Sequence, residues 1–221
     1  PDLVRSDQSL MRDLADFCRR NKDILDRSSL TGEENYRLVV AAANMKMVAW
    51  AICIIEDMSE LKRYFQDVGI APGEAPLALS GKIERIKQSF LCNPRGEFMP
   101  GWYGLDAYTD FPAPICLTVE GEELTISQPR IVGLMNVLAE PAPGDWVYVV
   151  GSGGGWHDAL LGWLVTGNNS QGREGRVVSV EIEEELSVRA QRNLARIGRD
   201  NVECRKGDGS CGISEAVPWD V

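Results

Sequence analysis

Val147, Tyr148, Val149 and Val150 run straight into glycines at 151, 153, 154 and 155, and an apolar helical pattern follows from Ala159. A β-forming run, a cluster of glycines and helical spacing predict a strand, a tight turn and a helix N-terminus in that order. Glycine lets the backbone take positive φ there and lets a ligand approach without meeting a Cβ. The unpaired N–H groups of the helix start can then face polar groups of a nucleotide-like ligand. The spacing is Gly-x-Gly-x-Gly, and Trp156 stands where a dinucleotide fingerprint has its third glycine. The turn therefore suits an adenosyl ligand without a pyrophosphate better than a nicotinamide dinucleotide.

Strand patterns at 146–150, 176–182 and 201–205 alternate with helical patterns at 157–165 and 183–197, with a polar loop at 166–175. That alternation predicts the α/β class, with a parallel sheet of right-handed βαβ units. Ligands of such sheets sit at the carboxyl ends of the strands. Upstream, helical spacing covers 7–27. Thr31 with Glu34 reads as a capping box for a helix reaching about Met58. A short helix at 60–67, a loop at 71–76 and a helix at 82–91 follow. The stretch 93–124, rich in Pro, Gly and aromatic residues, reads as irregular, and 131–138 as a helix. The expected organisation is an all-helical extension over 1–80, serving packing and cover, followed by an α/β domain over 81–221.

The net charge of −10 argues against a nucleic-acid partner, which would need clustered Lys and Arg, and leaves a small or peptide substrate open. The six cysteines show no Cys-x-x-Cys spacing and no pairing with the lone histidine, so a reduced cytoplasmic setting without a zinc site is expected. The longest apolar run, 47–55, is far short of a membrane span.

Three features fall at successive strand ends. The first is the turn Gly151-Ser152-Gly153-Gly154-Gly155. The second is Glu181, whose carboxylate can accept both ribose hydroxyls of an adenosine ligand and would repel a 2′-phosphate. The polar loop at 166–175 lengthens its separation from the turn. The third is Gly207-Asp208-Gly209-Ser210, where Asp208 can accept from an adenine amino group. Any one of these acids alone reads as a solvated turn residue; their order along the chain is what points to a site. His157, opening a helix behind the turn, reads as structural.

Ile126-Ser127-Gln128-Pro129, the Pro143-Gly144-Asp145 lead-in, the glycine turn, Gly175 to Glu181, Asn201-Val202-Glu203 and Gly207 to Ser210 together resemble the protein-L-isoaspartate O-methyltransferase family. Phe90 to Pro100 and Ala107 to Pro114 are similar to that family's approach to its Ile-Ser-x-Pro signature. The likeness covers about 85–221. It implies a Rossmann-like class I methyltransferase sheet, with S-adenosyl-L-methionine as methyl donor and S-adenosyl-L-homocysteine as product. It further implies a peptide or damaged-protein substrate methylated on the α-carboxyl of an L-isoaspartyl residue. Gly151, Ser152, Gly153 and Gly155 would hold the methionine part of the cofactor, Glu181 the ribose, and Asp208 with Gly209 the adenine. Ser127 would stand at the reaction centre; its alternative reading is a cap for the helix that starts near Pro129.

Two departures qualify that resemblance. The family usually carries an acid two positions before the first glycine of the turn, where this chain has Val149. The chain also stops at Trp219-Asp220-Val221, matching the beginning of a fourth strand, so the N-terminal half of the sheet is expected. Strand 146–150 would then be an unpaired apolar edge, for a partner chain or self-association to complete. The alternative function is a methyltransferase-like binding or assembly module with impaired catalysis; an NAD-linked dehydrogenase is disfavoured by Trp156.

Overall fold

The structure, a computed structural model, describes residues 32–56, 75–118, 121–213 and 218–221. Helix α1 (Gly32–Glu56) and helix α2 (Ala75–Cys92) precede two 3-10 segments, Arg95–Phe98 and Gly101–Tyr108. The short strands β1 (Ala113–Leu117) and β2 (Glu123–Ile126) follow, then α3 (Pro129–Ala139). The remainder alternates: β3 (Trp146–Val150), α4 (Trp156–Val165), β4 (Arg176–Glu181), α5 (Glu184–Arg196) and β5 (Val202–Lys206), closed by a 3-10 turn at Gly209–Cys211. The helices expected over 7–27 and 60–67, and Thr31 of the capping box, lie outside the described residues.

Strands β3, β4 and β5 form one parallel sheet in that order, with Val147 opposite Val177 and Val177 opposite Val202. The edge at β3 is not bare, contrary to the sequence expectation. Tyr148 N donates to Val221 O at 3.0 Å, and Asp220 N donates to Trp146 O at 2.9 Å. The segment 219–221 therefore lies beside the first half of β3, where it satisfies main-chain groups that burial would otherwise strand. Trp219 stacks 5.6 Å from Tyr148, centroid to centroid, and extends the contact through side chains.

Helix α4 is apolar around most of its circumference: Trp156, Ala159, Leu160, Leu161, Leu164 and Val165 are all buried. One side packs Leu161 and Val165 onto Val147 and Val177 of the sheet. Another joins a larger core with Phe90 of α2, Val132 of α3, Leu186 and Ala190 of α5, and Met47, Val48 and Ile52 of α1. The part of the helical extension that is described thus shares its core with the α/β layer. Helix α5 carries Glu184 and Glu185 in its first turn and Arg196 in its last, a distribution that complements the helix dipole.

Two upstream expectations are corrected. Residues 93–124 are not wholly irregular: β1 and β2 pair as an antiparallel hairpin with Ala113 opposite Ile126. Pro114 hid that strand; it is tolerated because the ladder shifts register between Pro114 and Cys116. Helix α2 starts at Ala75 rather than near Lys82. Pro76 falls in its first turn, where a missing N–H leaves no bond unmade. Among the described residues no helix is long and apolar enough to cross a membrane.

Candidate functional site

The ladder between β3 and β4 continues one residue past the strand, Gly151 N donating to Val180 O at 2.8 Å, and then the chain turns. Gly151, Gly153 and Gly155 all have positive φ, at 84°, 56° and 85°. The glycines serve two purposes. A Cβ built at Gly151 would meet nothing within 4 Å, and one at Gly153 only Ile115 Cδ1 at 4.0 Å, so this side of the turn is open to a ligand. A Cβ at Gly155, which caps α4, would press on Ala190 of α5 at 3.2 Å, so that glycine serves packing. Trp156, in the place of a third fingerprint glycine, points inward. Its indole N–H donates to Asn93 O at 3.0 Å and its ring meets Phe90 edge-on.

Glu181 ends β4 and is buried at 5 % exposure. Its Oε2 accepts from Gly153 N at 2.7 Å and its Oε1 from Glu183 N at 3.0 Å. The side chain is therefore a strut of the turn, and each oxygen keeps a lone pair for a further donor. The tip of β5 joins the same place: Gly207 N donates to Glu181 O at 3.0 Å. Asp208 is exposed, and its Oδ1 accepts from Ser210 N at 2.9 Å and Ser210 Oγ at 2.7 Å. Those bonds hold its carboxyl below the usual range. A Cβ at Gly209 would meet Val150 Cγ1 at 2.7 Å, so the β5 turn folds back to the tip of β3. Val150 and Ile182, at 62 % and 64 % exposure, stand at the tips of β3 and β4. Sequence reasoning passed over both; exposed branched apolar residues flanking Glu181 suit the faces of a heteroaromatic base.

Ser127 is exposed, in the link between β2 and α3. The cap position of α3 belongs to Gln128, which makes no side-chain cap bond. The helix start is held instead by Asp110, whose Oδ1 accepts from Arg130 N at 2.9 Å. Among the described residues the Ser127 hydroxyl makes no hydrogen bond, while its carbonyl accepts from Arg95 Nη2 at 3.2 Å. Arg95 is fully buried and lies 5.4 Å from the centroid of Trp156, the residue after Gly155. One guanidinium thus ties the Ser127 segment to the helix of the glycine turn. Sequence reading missed it; a lone arginine between Pro94 and Gly96 was the available signal.

Ser152 does not face the open side. Its hydroxyl donates to Asp158 Oδ2, which also accepts from Ser179 Oγ at 2.6 Å. His157 is tied to the core: its Nε2 donates to Asn136 Oδ1 at 2.8 Å, and burial pushes its pKa down to about 4. The folded chain holds it neutral, so the stability it contributes is present above the unfolded value near 6.5 and is lost as pH falls toward 4. Denaturant titrations from pH 7 to pH 4 should show wild type losing up to about 3 kcal/mol relative to His157→Gln. A difference constant across that range would remove His157 from this role. Among the described residues no cluster of three His, Cys, Asp or Glu side chains is placed to hold a metal ion.

The sequence model of the Protein-L-isoaspartate(D-aspartate) O-methyltransferase family matches residues 78–221. A protein-L-isoaspartate O-methyltransferase of Methanoregula boonei is 39% identical over 127 residues, covering 58% of this chain and 52% of that protein. One from Pyrobaculum islandicum is 36% identical over 141 residues, 63% of each chain. A solved protein-L-isoaspartate O-methyltransferase superposes with a TM-score of 0.53 at 31% identity, over 64% of this chain and 44% of that one. The present chain therefore spans between about half and two thirds of the length of these sequence relatives. The parallel βαβ order is that of a Rossmann-like class I methyltransferase sheet. The chain belongs to the protein-L-isoaspartate(D-aspartate) O-methyltransferase family.

Proposed function

We propose that this chain takes part in methyl transfer from S-adenosyl-L-methionine to a peptide or protein carboxylate, the α-carboxyl of L-isoaspartyl residues in damaged proteins. The observation that carries the reading is the meeting of three strand tips: Gly153 and Gly207 both hydrogen-bond to Glu181, through its carboxylate and its carbonyl. The residues present fit an S-adenosyl ligand. The open side of Gly151 and Gly153 admits a chain without steric conflict, and the lone pairs left on Glu181 suit paired ribose hydroxyls. Val150 and Ile182 offer apolar walls to adenine, and Asp208 an acceptor for its amino group.

The cofactor supplies an electrophilic methyl group on a sulfonium. A carboxylate attacks such a carbon without giving up a proton, so the chain needs no general base. Its task is to bind both partners in line and to strip water from the nucleophile. Ser127, exposed and with its hydroxyl uncommitted, is the residue we assign to the substrate carboxylate; Arg95 positions it through the main chain. Cys92, Cys116, Cys204 and Cys211 are free thiols.

The test is methyl incorporation into an isoaspartyl peptide compared with its aspartyl twin. Incorporation into the first alone, slowed by Ser127→Ala with S-adenosylhomocysteine affinity unchanged, is the expected result. Cofactor binding without incorporation would instead mark a methyltransferase-like binding module, and no cofactor binding would remove the enzyme reading.

A further inference from the structure

Beneath the glycine turn lies a carboxylate that none of the roles above requires. Asp158 sits in the first turn of α4, fully buried. Its Oδ2 accepts two hydroxyl hydrogen bonds: one from Ser152 on the turn, and one from Ser179 on β4 at 2.6 Å. Its Oδ1 has no partner. A buried ionisable group with half its acceptor capacity unused is costly to keep, and a nonpolar side chain would fill an apolar helix more cheaply. What the carboxylate does here is join three elements, the turn, the helix and the strand, at one oxygen.

We propose that Asp158 is the positioning residue of the glycine turn: by holding Ser152 against Ser179 it latches the turn to β4 and presents Gly151 and Gly153 in their open, positive-φ conformation. This deepens the functional reading, since it takes that turn to be where the S-adenosyl ligand binds. Ser152 is thereby a latch component whose hydroxyl is turned away from the ligand, with Gly155 N donating to its carbonyl at 2.9 Å to close the loop.

The latch is sensitive to protonation. Burial pushes the Asp158 carboxyl up to about 6, opposed by the Ser152 and Ser179 hydroxyls and reinforced by the charge of Glu181. The other groups around it are Cys204 of β5, whose thiol burial pushes up, and Ser187 of α5 against that thiol. His157, its neighbour on α4, is neutral above about pH 4. When the turn swings open while Asp158 stays buried under α4, the carboxyl loses the hydroxyl bonds that favour its ionised form. In this local opening, ionisation above pH 6 therefore tightens the latch and protonation below it loosens it.

Hydrogen exchange of the 221-residue chain without ligand tests this directly, reading the peptide over 150–156 after correction for intrinsic exchange chemistry. In wild type, protection of that peptide should rise about tenfold between pH 5 and pH 7.5. Asp158→Asn, a neutral isostere, should stay at the low-pH level throughout. In parallel, S-adenosylhomocysteine should bind wild type about tenfold more tightly than Asp158→Asn at pH 7.5 and equally at pH 5. A flat wild-type profile, an unchanged profile in Asp158→Asn, or a change spread evenly over α5 and the rest of the core would overturn the latch. Should Asp158→Asn not fold, the bend near pH 6 in wild type still decides. If wild type takes no S-adenosylhomocysteine at any pH, the adenosyl site is wrong, while the exchange profile still judges the latch on its own.

Discussion

Glu181→Gln is expected to weaken S-adenosylhomocysteine binding at least about 100-fold, as much as Glu181→Ala does. The reason lies in the donors that surround the side chain. Oε2 faces Gly153 N–H and Oε1 faces Glu183 N–H, so both positions require an acceptor. Glutamine has one acceptor and one donor, and either orientation sets its NH₂ against a backbone N–H. A charge-assisted bond of about 1.5–3 kcal/mol becomes a repulsive contact. Were the carboxylate only a receiver of ribose hydroxyls, glutamine would keep one acceptor and offer a donor to the other hydroxyl, and most affinity would survive. Calorimetric titration of the two variants separates these roles: near-equal losses mark the strut, and a small loss in Glu181→Gln alone would leave only the ribose contact.

The strut also bears on the departure at Val149. The resemblance leads one to expect an acid on β3, before the turn. In this chain the carboxylates that engage the turn come from β4, as Glu181, and from α4, as Asp158. The turn is thus gripped from two sides by residues downstream of it, and a valine at 149 can pack with Val147, Leu161, Val165 and Val177.

The βαβ half was legible because its signals are local. Val-rich runs, a glycine turn and amphipathic spacing follow one another within short windows, and strands and helices lie within two residues of where those patterns put them. Glu181 and Asp208 were legible for the same reason, since a residue at a strand tip inherits its position from the strand. Side-chain direction was not. Ser152 sits among glycines that face a ligand, yet it turns inward, because its partner is a buried acid six residues on, in the first turn of α4. Asp158 itself reads in sequence as an ordinary first-turn acid favoured by the helix dipole; only the fold reveals that its whole surroundings are buried. The hairpin was masked by Pro114, and the role of Arg95 depends on five carbonyls from two separate stretches, 107–111 and 126–127, which no local pattern announces.

Arg95→Leu should cost at least about 4 kcal/mol of folding stability, enough to unfold many domains of this size. Nη1 donates to Ala107 O at 3.1 Å and Thr109 O at 3.3 Å, and Nη2 is shared among Phe111 O at 2.8 Å, Ile126 O at 3.3 Å and Ser127 O at 3.2 Å. Leucine would leave these carbonyls without their donor, each worth about 1–3 kcal/mol where buried. It would also end the contact with Trp156. Burial lowers the guanidinium pKa to about 10, with the nearby Asp110 charge opposing, so the group still carries its charge at neutral pH. Arg95→Lys keeps a cation but offers three hydrogens from one point in place of a planar fork, and cannot reach acceptors contributed from so many directions. Its denaturation midpoint should drop by the equivalent of about 2 kcal/mol. Because the lysine variant stays folded, it isolates the link to Ser127: methyl transfer should slow more than about tenfold while S-adenosylhomocysteine affinity holds within about twofold, the carbonyl of Ser127 having lost its anchor and the strand tips having kept theirs. A wild-type midpoint in Arg95→Lys would show that charge, not the fork, is what the buried site requires.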